Sequence, residues 1–183
     1  MPLIWLIRHG DYDYMDPAPE TIGQGLTTLG QEQAKYTARY LSELDKPPCK
    51  IICSDFLRAK ETAEFIAAAL PSAILDVDPR FRECRDVYFK HRPEISKSAP
   101  KAYRRLFQST TSNDAPTAVV CHANLIRYLL ARLENWTEER WESVLIGNCS
   151  ISVVDFVTKS PSQKVLRAET SVAHLPPSLR EQL

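Results

Sequence analysis

The chain has 183 residues, 44% of them hydrophobic, with 23 basic and 23 acidic side chains and a formal net charge of zero. That length suits one domain over residues 1–183 with a sizeable buried core. A neutral balance argues against a dedicated nucleic-acid binder, which carries a strongly basic face, so an anionic substrate must be met by a local cluster of Arg and Lys.

Leu3–Ile7 is an unbroken apolar run, the pattern of a short strand buried on both faces, and Arg8, His9 and Gly10 follow it directly. A polar, turn-rich stretch runs from Gly10 to Gly25 and contains Asp16-Pro17, Pro19 and Gly23. A helix is predicted from near Thr27, with Leu29, Ala34, Ala38, Leu41 and Leu44 as its apolar stripe, ending before Pro47-Pro48. Lys50–Ser54 reads as a second strand and Asp55–Leu70 as an alanine-rich second helix stopped by Pro71. Ile74–Val77 is a third strand.

Residues 82–115 are the least regular part, basic and interrupted by Pro93 and Pro100. They are expected to form a short irregular cap, with one helix around Lys101–Phe107. Thr117–Cys121 is a buried strand and Asn124–Leu133 the helix after it, while Thr137–Val144 is a short helix capped by Thr137. Ile151–Val157 and Lys164–Thr170 are two closing strands in the manner of a hairpin. Alternation of strand-like and helix-like segments predicts an α/β fold: three αβα layers, with a mostly parallel central sheet and helices on both faces.

The five cysteines, Cys49, Cys53, Cys84, Cys121 and Cys149, are odd in number and have no C-x-x-C spacing. This is the pattern of a reduced intracellular protein with small buried thiols, and it offers no metal site. No apolar stretch approaches the roughly 18–20 residues needed to cross a bilayer, and MPLIWLI lacks the basic n-region of a signal peptide. The expectation is an intracellular, cytoplasmic protein without a membrane segment.

Three of the predicted strands end alike. The first ends in Arg8-His9; the second ends in Cys53-Ser54 and leads into a helix with Arg58 in its first turn; Thr117–Cys121 ends in His122, with Asn124 two residues on. In an open parallel sheet, ligands bind outside the carboxyl ends of the strands. Those ends would gather two histidines, two arginines and the amide ends of the following helices, all suited to an anion. Taken singly, a His at a strand end is more often structural, and an Arg early in a helix is usually solvated. Recurrence at three matching places, in a chain with four histidines, favours a site for a phosphate dianion with one imidazole free to attack it.

Arg8-His9-Gly10, LTTLGQEQA at 26–34, SDFLRAKETA at 54–63 and VVCHANLIRYLL at 119–130 together resemble the histidine phosphatase, or phosphoglycerate-mutase-like, superfamily. Within it, FLRAKETAEFI, RFRE and CHANLIRYLLARL are most similar to the branch of mitochondrial serine/threonine-protein phosphatases. The resemblance covers essentially the whole chain and implies that His9 is the nucleophile and becomes phosphohistidine. It implies a phosphate pocket of Arg8, Arg58 and His122, with His122 also in the catalytic set, and Glu83 of RFREC as proton donor. No metal and no cofactor are called for, because two arginines and a second histidine supply the charge around the transferred phosphoryl.

The pattern departs in places. Asp13 stands where the family commonly has a phosphate-binding Asn, so that role passes to Asn124 or to backbone. Cys84 replaces a Gly common after the acid. The anchoring segment and assembly motif of the mitochondrial branch are not seen, so mitochondrial association and higher assembly are not carried over; a homodimer is compatible with the chain. His91 and His174 are read as structural or solvated.

A metal-independent phosphomonoesterase is the leading expectation. Only about 38 residues separate Glu83 from His122, few for the closing lid that a mutase needs. An open site would suit a phosphorylated protein or peptide, and Arg85, Lys90, Arg92, Lys97, Lys101, Arg104 and Arg105 would form either its rim or an ordinary solvated face. A phosphatase of small phosphomonoesters or a phosphoglycerate mutase is the alternative. A non-catalytic module binding a phosphorylated partner is disfavoured, since a binder needs neither nucleophile nor acid.

Overall fold

The computed structural model describes residues 3–14, 24–84, 98–108, 115–156 and 164–180. Strand β1 (Leu3–Arg8) is followed by helix α1 (Thr28–Ser42), β2 (Lys50–Cys53), α2 (Leu57–Ala69), β3 (Ile74–Val77), α3 (Ala99–Tyr103), β4 (Thr117–Cys121), α4 (Ala123–Glu134), α5 (Glu138–Ser143), β5 (Ile151–Phe156) and β6 (Lys164–Ser171). The six strands form one sheet in the order β3-β2-β4-β1-β5-β6. The first four are mutually parallel, whereas β5 runs antiparallel to β1 and β6 antiparallel to β5. The expected closing pair is present.

Period-two alternation along the central strands assigns each side chain to one of two layers. Trp5 and Ile7 of β1, Ile51 and Cys53 of β2, and Ala118 and Val120 of β4 pack against Ala38 and Leu41 of α1 and Ala59, Ala63 and Ile66 of α2. Ile4, Leu6, Ile52, Val119 and Cys121 face the other way, onto α3, α4 and α5, with Leu125, Leu129, Phe107 and Trp141 among their neighbours. The continuous apolar runs of β1 and β4 follow from this, because both of their faces are covered. The fold is therefore the expected three-layer α/β arrangement.

Several boundaries have local causes. Thr27 caps α1 by accepting from the Gly30 N–H at 3.1 Å, and Thr137 caps α5 by accepting from Arg140 N–H at 3.3 Å. α4 ends on Asn135 in the left-handed region, φ 52°. The helix expected around Lys101–Phe107 divides into α3 and a π-helical continuation, Arg104–Gln108.

Most of the expected cap, including Arg85, Lys90, His91, Arg92 and Lys97, lies outside the described residues. Within 98–108 the chain is helical, and Ala99, Ala102, Leu106 and Phe107 are buried in the layer with α4. Arg105 corrects its reading as a rim cation. Its Nη2 donates to Asp76 at 2.6 Å and its Nε lies 3.2 Å from Asp78, binding this segment to β3 and its end. Lys101 and Arg104 are exposed.

Candidate active site

Sheet order places the site. β2, β4 and β1 are adjacent, and the register pairs Arg8 with Cys121 and Cys53 with Val120, so the carboxyl ends of three separate chain segments lie side by side. His9 N–H donates to the Cys121 carbonyl at 3.0 Å and Ser54 N–H to the Val120 carbonyl at 3.0 Å, carrying the ladder one residue past each strand. The Cys149 N–H, on a residue with φ 55°, reaches the carbonyls of Arg8 and His9 at 3.1 and 3.2 Å from the opposite side.

The loop after His9 is tied to both helices of one layer. Gly10 N–H donates to Thr62 Oγ1 at 3.0 Å, and Thr62 in turn donates to the Arg58 carbonyl at 2.8 Å. Asp11 N–H donates to Gln33 Oε1 at 2.8 Å, and the Thr27 hydroxyl donates to the Asp11 carboxylate at 2.5 Å. The rigid carrier of His9 is thus built by side chains of LTTLGQEQA and SDFLRAKETA.

His9 is 2% exposed, and its Nδ1 lies 2.8 Å from the Gly10 carbonyl oxygen. A carbonyl only accepts, so this contact assigns the ring proton to Nδ1 and leaves the lone pair on Nε2. Arg58 Nε donates to that Nε2 at 3.1 Å. Burial, then electrostatic coupling to His122 and the positive charges of Arg8 and Arg58, hold the His9 pKa well below its ordinary value. The imidazole is neutral at pH 7, with a fixed tautomer and its nucleophilic atom on the side of Arg58.

Arg58 is buried at 2% exposure, and burial pushes its pKa down from the ordinary guanidinium value. It remains a cation, as arginine does in proteins. Its Nη1 is buried and has no hydrogen-bond partner among the described residues. His122 is fully buried, and its Nε2 lies 2.9 Å from Ser54 Oγ, which also accepts from the Phe56 N–H at 3.3 Å. His122 Nδ1 is likewise buried and without a partner among the described residues. Desolvation, then Arg58 and Arg8, lower the His122 pKa well below its usual value. The rings of His9 and His122 are 5.1 Å apart.

Glu83 sits at the start of α4. Its Oε1 accepts from Cys84 N–H at 2.9 Å and from Leu125 N–H at 3.3 Å. Burial raises its pKa above the usual carboxylate value, against the opposing pull of the Cys84, Asn124 and Leu125 amides and of Arg58. A carboxyl group that holds its proton more tightly is suited to general acid work. Arg8 is partly buried and donates through Nη1 to the Ile146 carbonyl at 2.6 Å. Asn124 is partly exposed, and its Oδ1 accepts from Arg127 at 2.9 Å.

The structure gathers His9, Arg58 and His122 directly and sets Arg8 and Glu83 within electrostatic reach of them. Asp13 is exposed. His174 packs elsewhere, against α1: its Nε2 lies 3.0 Å from Thr37 Oγ1 and its ring 5.1 Å from that of Tyr40. Among the described residues, no group of three or more His, Cys, Asp or Glu side chains is placed to hold a metal ion.

The family model of the histidine phosphatase superfamily (branch 1) matches residues 4–117 and 108–169. The chain belongs to the histidine phosphatase superfamily. Among curated proteins it is 32% identical over 191 residues to the serine/threonine-protein phosphatase Pgam5, mitochondrial, of Caenorhabditis elegans, covering 96% of this chain and 64% of that protein. The chain therefore spans just under two thirds of the length of that relative. Among solved structures it is similar to a phosphoglycerate mutase from Plasmodium falciparum, with 30% identity, a TM-score of 0.67, and coverage of 96% of this chain and 94% of the other. A phosphoserine phosphatase from Entamoeba histolytica, solved with 3-phosphoglyceric acid, shares the fold at a TM-score of 0.75 and 20% identity, over 96% of this chain and all of the other.

Sequence reasoning assigned no role to Ser54, Thr62, Gln33, Tyr12 or Phe56. Ser54 and Thr62 stood in the S-x-x-x-R-A-x-x-T-A motif and Gln33 in LTTLGQEQA, so the polar members of each superfamily motif were the available signal. Tyr12 and Phe56 carried none, since an aromatic residue beside a buried cation is visible only in three dimensions.

Proposed function

We propose that this superfamily member is a phosphomonoesterase that works through a phosphohistidine at His9. The observation that carries the proposal is the state of His9: its proton is held on Nδ1 by the Gly10 carbonyl, so Nε2 keeps a lone pair beside the buried cation Arg58. In this reading Nε2 gives up the hydrogen bond it accepts from Arg58 Nε and attacks phosphorus in line with the leaving oxygen, and the P–O bond breaks. Glu83 delivers its proton to the departing alkoxide. Water then attacks the phosphohistidine, the P–N bond breaks with its electron pair returning to Nε2, and Glu83 takes the water's proton. Arg8, Arg58, His122 and the side-chain amide of Asn124 bind the equatorial oxygens; Arg58 Nη1 and, with the Ser54 hydroxyl donating to Nε2, His122 Nδ1 are donors without a partner among the described residues. No metal or cofactor enters any step.

The substrate assigned is a phosphoserine or phosphothreonine in a protein or peptide. Support comes from the relative named as a serine/threonine-protein phosphatase and from the short interval between Glu83 and His122. That relative's name also supports mitochondrial association inside the cell; no helix among the described residues is long and apolar enough to cross a membrane. A second reading, transfer within a small phosphorylated metabolite, is favoured by the 30% identity to a phosphoglycerate mutase.

Hydrolysis rates over a panel of phosphopeptides, sugar phosphates, phosphoglycerates and an aryl phosphate separate the two. The first reading expects phosphopeptide turnover that rises with flanking acidic residues and weakens with salt. A kcat/KM for one metabolite far above every peptide overturns it. His9→Ala is expected to abolish turnover on all substrates and to prevent trapping of acid-labile, base-stable phosphate on the protein. Wild-type activity in that variant would overturn the mechanism.

A further inference from the structure

The geometry points to Tyr12 and Phe56 as positioning residues that hold Arg58 ready for phosphate by setting their ring faces against its guanidinium carbon, an inference that rests on the phosphatase reading above. The guanidinium carbon of Arg58 lies 4.4 Å from the centre of the Tyr12 ring and 5.0 Å from that of Phe56. Each ring also meets one histidine edge to face. Tyr12 lies 5.0 Å from His9 at 82°, and Phe56 lies 5.0 Å from His122 at 67°. The rings come from the two loops that carry the site, one after β1 and one before α2.

A buried cation needs compensation, which a paired carboxylate usually supplies. Among the described residues no carboxylate forms an ion pair with Arg58, and Glu83 spends its nearer hydrogen bonds on the backbone of Cys84 and Leu125. The difference matters for an anion-binding site. A carboxylate would occupy in-plane N–H donors and cancel the charge that a phosphate dianion needs. An aromatic ring stabilises the cation through its face and leaves the edge donors and the full charge available. Arg58 accordingly keeps Nε on His9, and its Nη1 has no partner among the described residues.

The test uses inorganic phosphate as the probe, its binding followed by calorimetry, together with kcat and KM for an aryl phosphate. Tyr12→Leu is expected to weaken phosphate about tenfold, the scale of one partly desolvated cation–π contact. Tyr12→Phe should stay within about twofold of wild type, because the ring face makes the contact and not the hydroxyl. In an Arg58→Ala background the further loss of kcat/KM on Tyr12→Leu should shrink well below its effect in the wild type, the remainder coming through the Tyr12 contact with His9. Phe56→Leu repeats the measurement from the other ring should Tyr12→Leu impair folding. Phosphate binding by Tyr12→Leu equal to wild type, or an undiminished effect without Arg58, overturns the inference alone. Wild-type protein that binds no phosphate overturns the phosphatase reading with it.

Discussion

Gly30 is the third residue of α1, and a methyl group on it would stand 2.0 Å from the Asp11 carbonyl oxygen and 2.8 Å from the Asp11 nitrogen. Both atoms are backbone, so neither can swing aside as a side-chain tip would. Gly10 faces the same junction, with a methyl there meeting the Gly30 carbonyl oxygen at 2.6 Å. Gly30→Ala has two opposed effects. Alanine favours the helix by about 1 kcal/mol over glycine. The clash requires α1 and the Gly10–Asp11 loop to part by about 1.4 Å, from 2.0 Å to the 3.4 Å at which ordinary contact begins. That opening would break the Thr27 N–H bond to Asp11 O at 3.1 Å and the Asp11 N–H bond to Gln33 at 2.8 Å. Two such bonds at about 1 kcal/mol each, with about 1–3 kcal/mol for overpacking, exceed the helical gain. The expected net loss is about 2–4 kcal/mol, a fall in Tm of roughly 5–15 °C. Because the loop follows His9 directly, kcat should drop about a hundredfold, the scale of a 1 Å misplacement. Thermal unfolding by circular dichroism and steady-state turnover of an aryl phosphate measure both. A variant matching wild type in Tm and kcat would refute the argument that this glycine pair sets the position of the nucleophile.

Glu83→Gln should slow hydrolysis of phosphoserine peptides by about 10²–10⁴-fold yet spare an aryl phosphate whose leaving group needs no proton, whereas Arg58→Ala should lower kcat/KM on both; equal losses on the two substrates for Glu83→Gln would remove it from the acid role. Stability should fall as the medium is acidified: burial, then Arg180, hold the His174 pKa at about 4 against an ordinary 6.5. The unfolded chain therefore takes up that proton first, and the folded state loses free energy from pH 6.5 down to about 4. Buried His9 and His122, shifted in the same direction, add to the loss. The slope for His174 is at most about 1.4 kcal/mol per pH unit and, for a side chain partly open to solvent, roughly half that. Urea unfolding at pH 7.5 and pH 5 should show a flatter dependence for His174→Gln, and an identical dependence would contradict the assignment. Dialysis against a strong chelator should leave kcat unchanged, and activity restored only by added metal would count against the proposed chemistry.

Local patterns carried most of the architecture. Leu3–Ile7 read as a doubly buried strand because every position is apolar, and Thr27 and Thr137 marked helix starts because a hydroxyl there satisfies an otherwise unpaired N–H. Ile74–Val77 and Thr117–Cys121 were legible to the residue, since short runs rich in branched apolar side chains between turn signals are a property of a few neighbouring residues. The combined R-H-G, S-x-x-x-R-A-x-x-T-A and H-A-N motifs were sufficient for the superfamily. Other features depend on groups far apart in the chain. Insertion of β4 between β2 and β1 is decided by which faces the helices can cover, and it alone makes Arg8 the register partner of Cys121. The Gly10 carbonyl follows from the local turn, but the presence of Arg58 at His9 Nε2 comes from a residue 49 positions away. Arg105 looked like a rim cation until β3 offered it Asp76, and His174 lies on α1 because Thr37 and Tyr40 receive it there. A side chain's identity is written in the sequence, but its protonation state, tautomer and partner are set by the charges and dipoles that folding brings to face it.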